Sequence, residues 1–353
     1  MKIDYNNLLK INPFSLSSKK KNIFYLKFQK YLFNHHYKYC KEFKIISDQL
    51  FNRPTKNSNL KDLPFLHVNL FKKFNLRTYY NNNNHKIYTS SGTTNSNLSK
   101  IALDKKTSLL QSVILKNILS EFIQNRETII LFVENKKILN SERRFSARGA
   151  AINGFIQLVD EYYFILDKKG KLKIDVLKKN LNKKKNIIFF GFTSDIWIYL
   201  LKELEKKNIK FKKNNALLIH GGGWKRLENK NISKNYFNNF AKKILGIKRS
   251  INYYGMIEQT GSVFLECSEG YFHSSIYSDI FIRDQNLEVL PNYKTGLIQT
   301  MSLIPLSYPG HNILTEDQGY IVGNDDCKCG KLGKYFVLTN RVKNTEIRGC
   351  SDV

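Results

Sequence analysis

The chain has 353 residues, 42% of them hydrophobic, with five cysteines and a formal net charge of +29. That composition supports a sizeable core and excludes both a disordered chain and a disulfide scaffold. The lysines are dispersed among Asn and Ile, in runs such as 183–186. They read as a diffuse compositional bias, with a general attraction to anions as the alternative, and predict no specific nucleic-acid partner.

No run is apolar and long enough to form a transmembrane segment, and residues 1–5 lack the apolar stretch and cleavage site of a secretory signal. The expected location is therefore cytoplasmic. Residues 1–60 read as an amino-terminal helical segment, with a helix over 24–39 and a turn at Asn52-Arg53-Pro54. An α/β core is expected over 61–260. Its first part holds a helix over 99–122 and a buried strand over 128–132. From 186 the chain alternates: strand 186–192, helix 196–207 capped by Thr193, Ser194 or Asp195, strand 216–220, helix 236–245 and strand 250–254. Such alternation predicts βαβ crossovers and a mostly parallel sheet, with ligands at the carboxyl ends of the strands. Short strands at 263–266, 287–290, 296–303 and 319–322 predict an antiparallel or barrel-like subdomain over 261–340. Residues 341–353 read as a truncated hinge and tail.

Several motifs carry chemistry. Ser90, Ser91, Gly92, Thr93 and Thr94 open a hydroxyl-rich loop that can wrap a polyphosphate with backbone N–H groups and hydroxyls. It lacks the Gly-Lys-Ser/Thr ending of a Walker A loop. Gly221, Gly222 and Gly223 let the backbone approach a ligand. Tyr254, Gly255 and Glu258 put an aromatic plane, a turn and a carboxylate at a strand end, where Glu258 can hold Mg²⁺. Asp317 sits in an acidic turn at 315–319, able to accept hydrogen bonds from ribose hydroxyls. Cys267, His273, Cys327 and Cys329 are soft ligands in two nearby segments and suit a structural Zn²⁺; the alternative is reduced cysteines and a surface histidine. Cys350 lies beside Arg348, whose charge favours thiolate. Ser146 or Arg148 can orient a carboxylate, and Phe192 and Trp197 can line an apolar pocket or belong to the core.

The order of these motifs resembles the adenylate-forming enzymes. Within that superfamily the chain is similar to acyl-protein synthetases of the LuxE type and, more distantly, to phenylacetate–coenzyme A ligases. The likeness covers about residues 60–353 and extends to 145–150 and 345–352. It implies an α/β fold: a large adenylate-forming domain of mostly parallel sheets, a small antiparallel region, and a carboxy-terminal lid domain absent or vestigial. It also implies that Ser90–Thr94 grip ATP, that the glycine turn lies by the adenine, and that Arg341 is the hinge arginine. Asn95 and Ile257 depart from the family pattern. Lys343 and Arg348 become candidates for leaving-group stabilisation, and Cys350 for the acyl-accepting thiol. The implied function is ATP- and Mg²⁺-dependent activation of a carboxylic, fatty acid to an acyl-adenylate, followed by transfer to a protein thiol. The implied partner is a protein that donates or accepts the acyl group. The alternatives are an acyl–coenzyme A ligase and an inactive scaffold.

Overall fold

The computed structural model describes residues 4–79, 84–90, 98–123, 127–140, 145–183, 185–212, 214–224 and 232–342. Two compact units are present: among the described residues, unit 1 gathers those up to 90, 98–122 and 255–342, and unit 2 gathers those of 123–254. Strands β1 (Leu66–His67), β2 (Lys86–Thr89) and β3 (Lys100–Leu103) belong to unit 1. Unit 2 holds β4 (Thr128–Asn135), β5 (Glu161–Leu166), β6 (Asn186–Phe192), β7 (Leu217–Gly221) and β8 (Arg249–Tyr254). Unit 1 resumes with β9 (Phe264–Leu265), β10 (Phe272–His273) and β11 (Ser278–Arg283). It ends with β12 (Gly296–Ser302), β13 (Asn312–Asn324) and β14 (Lys334–Arg341).

In unit 2 the strands lie in the order β5-β4-β6-β7-β8, each neighbouring pair parallel. Strands β4 and β6 are almost continuously apolar and buried, as strands covered on both faces must be. Parallel neighbours need crossovers, which the helices Ala147–Ile156, Ile174–Leu181 and Lys234–Leu245 help to supply. On one face Leu131, Phe189 and Leu218 pack with Trp197, Phe237 and Ile244. Each such large side chain contributes about 1.5–3 kcal/mol by leaving water.

Unit 1 contains the expected antiparallel sheet, ordered β11-β12-β13-β14-β10, with β1 added parallel to β13. The helix Ser18–Tyr39 is fastened to it by buried polar contacts. Lys21 donates to the Ser278 carbonyl at 2.9 Å, and Gln29 donates to the Ser302 carbonyl at 2.9 Å. No helix among the described residues is long and apolar enough to cross a membrane.

Three local expectations are corrected. The apolar residues Ile101, Ala102 and Leu103 do not begin a helix; they pair with β2, and the helix Lys105–Ser120 starts only after Asp104 accepts the Thr107 N–H at 2.7 Å. Thr193, Ser194 and Asp195 do not cap a helix from outside. They form its first turn, which runs on into a π-helical stretch at Ile196–Lys202. The strand expected at 287–290 shrinks to a single antiparallel bridge of Val289 with Arg283, after a turn at 285–286 and Leu287 at φ 66°.

Candidate active site

The ribbon of β2 and β3 holds the foot of the hydroxyl-rich loop. Ser90 N–H donates to the Ser99 carbonyl at 2.9 Å, and Ser99 N–H donates to Ser90 Oγ at 3.0 Å. These reciprocal bonds close the base of the loop. Ser91, Gly92, Thr93 and Thr94 lie outside the described residues. Ser99 is fully buried, and its hydroxyl lies beside the Glu258 carboxylate.

Glu258 occupies the short 3₁₀ turn Ile257–Gln259 and is 5% exposed. Gln259 Nε2 fixes that turn by donating to the carbonyls of Thr300 at 3.0 Å and Gly310 at 2.9 Å. A side chain at position 310 would put its Cβ 2.3 Å from the Glu258 carbonyl oxygen, so glycine is required behind the carboxylate. Burial raises the Glu258 pKa; the Ser99 hydroxyl and the Arg341 charge oppose that rise, and the Asp317 charge adds to it. A buried carboxylate in this state gains from a nearby hard cation.

Asp317 and Arg341 are register partners on β13 and β14. The acidic turn expected at 315–319 is therefore corrected to the interior of a 13-residue strand. Gly319, which suggested a turn, instead permits close strand approach, since a Cβ there would lie 2.2 Å from the Val337 carbonyl oxygen. Arg341 Nη2 donates to Glu316 Oε2 at 2.8 Å, and Arg341 Nε stands 3.9 Å from Asp317 Oδ1. Unit 1 thus brings together Ser90, Ser99, Glu258, Asp317 and Arg341. Ser99 and Glu316 are not candidates in the sequence reading, although Ser99 adjoins the hydroxyl-rich loop and Glu316 lies within the acidic segment 315–319. Lys343, Arg348 and Cys350 lie outside the described residues.

In unit 2 the triple glycine divides its labour. Gly221 pairs with Tyr253, and a Cβ there would lie 2.6 Å from the Tyr253 carbonyl oxygen. Gly222 and Gly223 turn the chain through the left-handed region, with φ 81° and 67°. Thr193 Oγ1 lies 3.0 Å from the Gly221 carbonyl and 2.9 Å from His220 Nδ1. The single hydroxyl proton goes to the carbonyl, so His220 carries its proton on Nδ1. Burial, with Lys234 adding to it, pushes His220 down to about 3, so the ring stays neutral. Tyr254 ends β8, and the boundary between the units falls between Tyr254 and Gly255.

The proposed substrate-orienting role of Arg148 meets competition. Its Nε donates to Glu134, and its Nη2 donates to Asp195 at 2.5 Å. Burial works against the charge, but Asp195 and Glu134 outweigh it and raise the Arg148 pKa. Ser146 accepts the Gly149 N–H at 3.1 Å and so caps the following helix. Phe192 and Trp197 are both buried.

A second cluster lies in the antiparallel sheet of unit 1. The ligand atoms of Cys267, His273, Cys327 and Cys329 all fall within 4.8 Å of one another. Cys267 Sγ is 3.9 Å from Cys327 Sγ, and His273 Nε2 is 3.4 Å from Cys329 Sγ. Tetrahedral zinc bonds of about 2.3 Å to sulfur and about 2.0 Å to nitrogen set edges of about 3.8 Å and about 3.5 Å. Matching turns aim the first two thiols: Gly270 N–H returns to the Cys267 carbonyl, and Gly330 N–H to the Cys327 carbonyl. His273 is fully buried, which corrects the alternative of a surface histidine. Burial pushes Cys327 up to about 12, raises Cys267, and lowers His273 to about 4.

The chain matches the family model described as "Acyl-protein synthetase, LuxE" over residues 2–353. No curated protein matches it. Among solved structures it is similar to an open conformation of 2-hydroxyisobutyryl-CoA ligase in complex with 2-HIB-AMP and CoA. There the TM-score is 0.72 at 12% identity, covering 94% of this chain and 77% of that one. The same ligase in the postadenylation state with 2-HIB-AMP gives a TM-score of 0.71 at 12% identity, covering 93% and 69%. Its thioesterification-state complex with 2-HIB-AMP and CoA gives 0.68 at 13% identity, covering 94% and 70%. At such identities the likeness is one of fold, the α/β fold of the adenylate-forming enzymes. With its family model matched from residue 2 to residue 353, the chain belongs to the LuxE acyl-protein synthetase family of adenylate-forming ligases, enzymes that use ATP to activate an acid as its acyl-adenylate.

Proposed function

We propose that the protein activates a carboxylic acid, of the fatty-acid class, with ATP and Mg²⁺, and passes the acyl group to a thiol. The observation that carries this reading is the meeting in unit 1 of the loop foot at Ser90 and Ser99 with Glu258, Asp317 and Arg341. Attack of a carboxylate on the α-phosphate of ATP needs charge stabilisation around phosphorus more than it needs a general base. The loop from Ser90 to Thr94 supplies N–H and hydroxyl donors to the phosphates. Glu258 would hold Mg²⁺, which supplies charge neutralisation at the phosphates. Asp317 accepts hydrogen bonds from the ribose hydroxyls. Lys343 and Arg348 are assigned to the leaving group.

For the acceptor, coenzyme A leads. The solved ligases that share the fold carry CoA in their described complexes. A second reading, transfer to the Cys350 thiol, is supported by the family description as an acyl-protein synthetase. One experiment separates them: protein, ATP, Mg²⁺ and a labelled fatty acid, with and without coenzyme A. The leading reading expects labelled acyl–coenzyme A. Label held on the wild-type protein and lost in Cys350→Ala, with no thioester to coenzyme A, would select the protein thiol. Absence of acid-dependent pyrophosphate release would remove both.

Cys267, His273, Cys327 and Cys329 would hold a structural Zn²⁺, because four protein ligands leave no open position for substrate. The edge lengths of the cluster support this assignment. Metal analysis of the purified protein is expected to find one zinc per chain, and Cys327→Ser is expected to lose it together with thermal stability.

A further inference from the structure

Arg341 stands beside two consecutive carboxylates and is shared unequally between them. It hydrogen-bonds Glu316 at 2.8 Å, while its Nε keeps 3.9 Å from Asp317. The favoured partner is the buried one: the Glu316 side chain is 7% exposed, against 30% for Asp317. Glu316 is itself held from two other directions. Asn69 Nδ2 donates to its second carboxylate oxygen, and its backbone carbonyl accepts the Val342 N–H at 3.0 Å. A charge-assisted bond to a buried carboxylate that Asn69 also holds outcompetes one to a more exposed neighbour, where water screens the attraction.

We propose that Glu316 is a positioning residue that anchors Arg341 away from Asp317, so that Asp317 addresses the vicinal hydroxyls of the nucleotide ribose. This rests on the reading of Asp317 as the ribose-binding acid. With the Glu316 charge removed, the guanidinium turns to the remaining carboxylate and competes with the ribose for it. Glu316 is then a determinant of selectivity for ribonucleotides, although it need not touch them. Its neighbour Asn69 acts one step further out, by holding the Glu316 carboxylate in place.

The test compares ATP with 2′,3′-dideoxy-ATP in acid-dependent pyrophosphate exchange, for wild type and Glu316→Gln. Wild type is expected to prefer ATP. Glu316→Gln is expected to raise KM for ATP about tenfold, the scale of one lost charge-assisted hydrogen bond, with KM for the dideoxy analogue nearly unchanged. In an Arg341→Gln background, Glu316→Gln should add nothing, since the residue it restrains is gone. Should Glu316→Gln not fold, Asn69→Ala loosens the same anchor with both charges kept and is expected to shift the KM ratio in the same direction. Wild-type discrimination retained in full by these variants would overturn the inference alone. A wild-type enzyme that uses both nucleotides equally would overturn the ribose reading and the inference with it.

Discussion

Glu258 illustrates how a single buried group sets conditions for chemistry. Its pKa is raised by burial, with Ser99 and Arg341 opposing. Below that raised value the carboxyl is protonated and cannot hold Mg²⁺, so the acid limb of the rate profile should lie above the ordinary Glu value of about 4.3. The pH dependence of kcat/KM for MgATP, which reports the free enzyme, checks this; a limb at the ordinary value would contradict it. Glu258→Gln keeps the shape and removes the charge, and is expected to cut pyrophosphate exchange roughly 10²-fold or more. The folded protein should remain intact, because the substitution also removes a buried charge.

Histidine burial gives the opposite pH signature for stability. Burial holds His220 and His311 at about 3, with Lys234 adding to the effect on the first and His35 on the second. A free histidine titrates near 6.5, so the unfolded chain binds more protons than the folded one below that pH. The stability these groups contribute is complete above about pH 6.5. It is lost as pH falls toward the folded value, at about 1.4 kcal/mol per pH unit for each histidine. Urea unfolding at pH 7.5 and 5.5 should show the loss, and His311→Gln should reduce its slope. Equal midpoints at the two pH values would contradict the account. At this scale part of the site was legible: Glu258, Asp317 and Arg341 became candidates through motif order and the family resemblance, and the ligand cluster through residue type and spacing. Ser99 and Glu316 were not. A buried serine and a second acid become significant only beside Glu258 and Arg341, which lie far along the chain from Ser99 and 25 residues from Glu316.

Among the elements, β4 and β6 are readable because a run such as Ile187-Ile188-Phe189-Phe190 has few places to go except a doubly covered strand. Strand β3 was less so: Ile101, Ala102 and Leu103 fit a helix face equally well, and only pairing with β2 decides. The amino-terminal helix reaches back to Ser18 because Ser17 caps it. Its docking depends on an ion cluster that local patterning does not reveal. Lys21 lies 3.5 Å and Lys334 3.2 Å from the same oxygen of Asp279, all three side chains buried or nearly so. Asp279→Ala would strand two ammonium groups, whereas Lys21→Met leaves Asp279 paired with Lys334. Loss of one partner from a buried pair costs about 3–5 kcal/mol. Asp279→Ala should therefore reach at least that range and exceed Lys21→Met. Denaturant midpoints check the order, and a reversed order would contradict it.

The molecule as a whole places its chemistry by joining distant stretches. Among the described residues, unit 1 draws on those up to 90, 98–122 and 255–342, so the loop foot, Glu258 and the Asp317–Arg341 pair share one body despite their separation in sequence. A linear reading yields contiguous segments and cannot anticipate such an interleaved unit. It could still rank the function, because motif order survives folding even where motif contacts are invisible. The most direct measurement is ATP–pyrophosphate exchange across a panel of carboxylic acids with Mg²⁺ present. Exchange should require one class of acid and collapse in Glu258→Gln. Background exchange with every acid, or full exchange in Glu258→Gln, would contradict this.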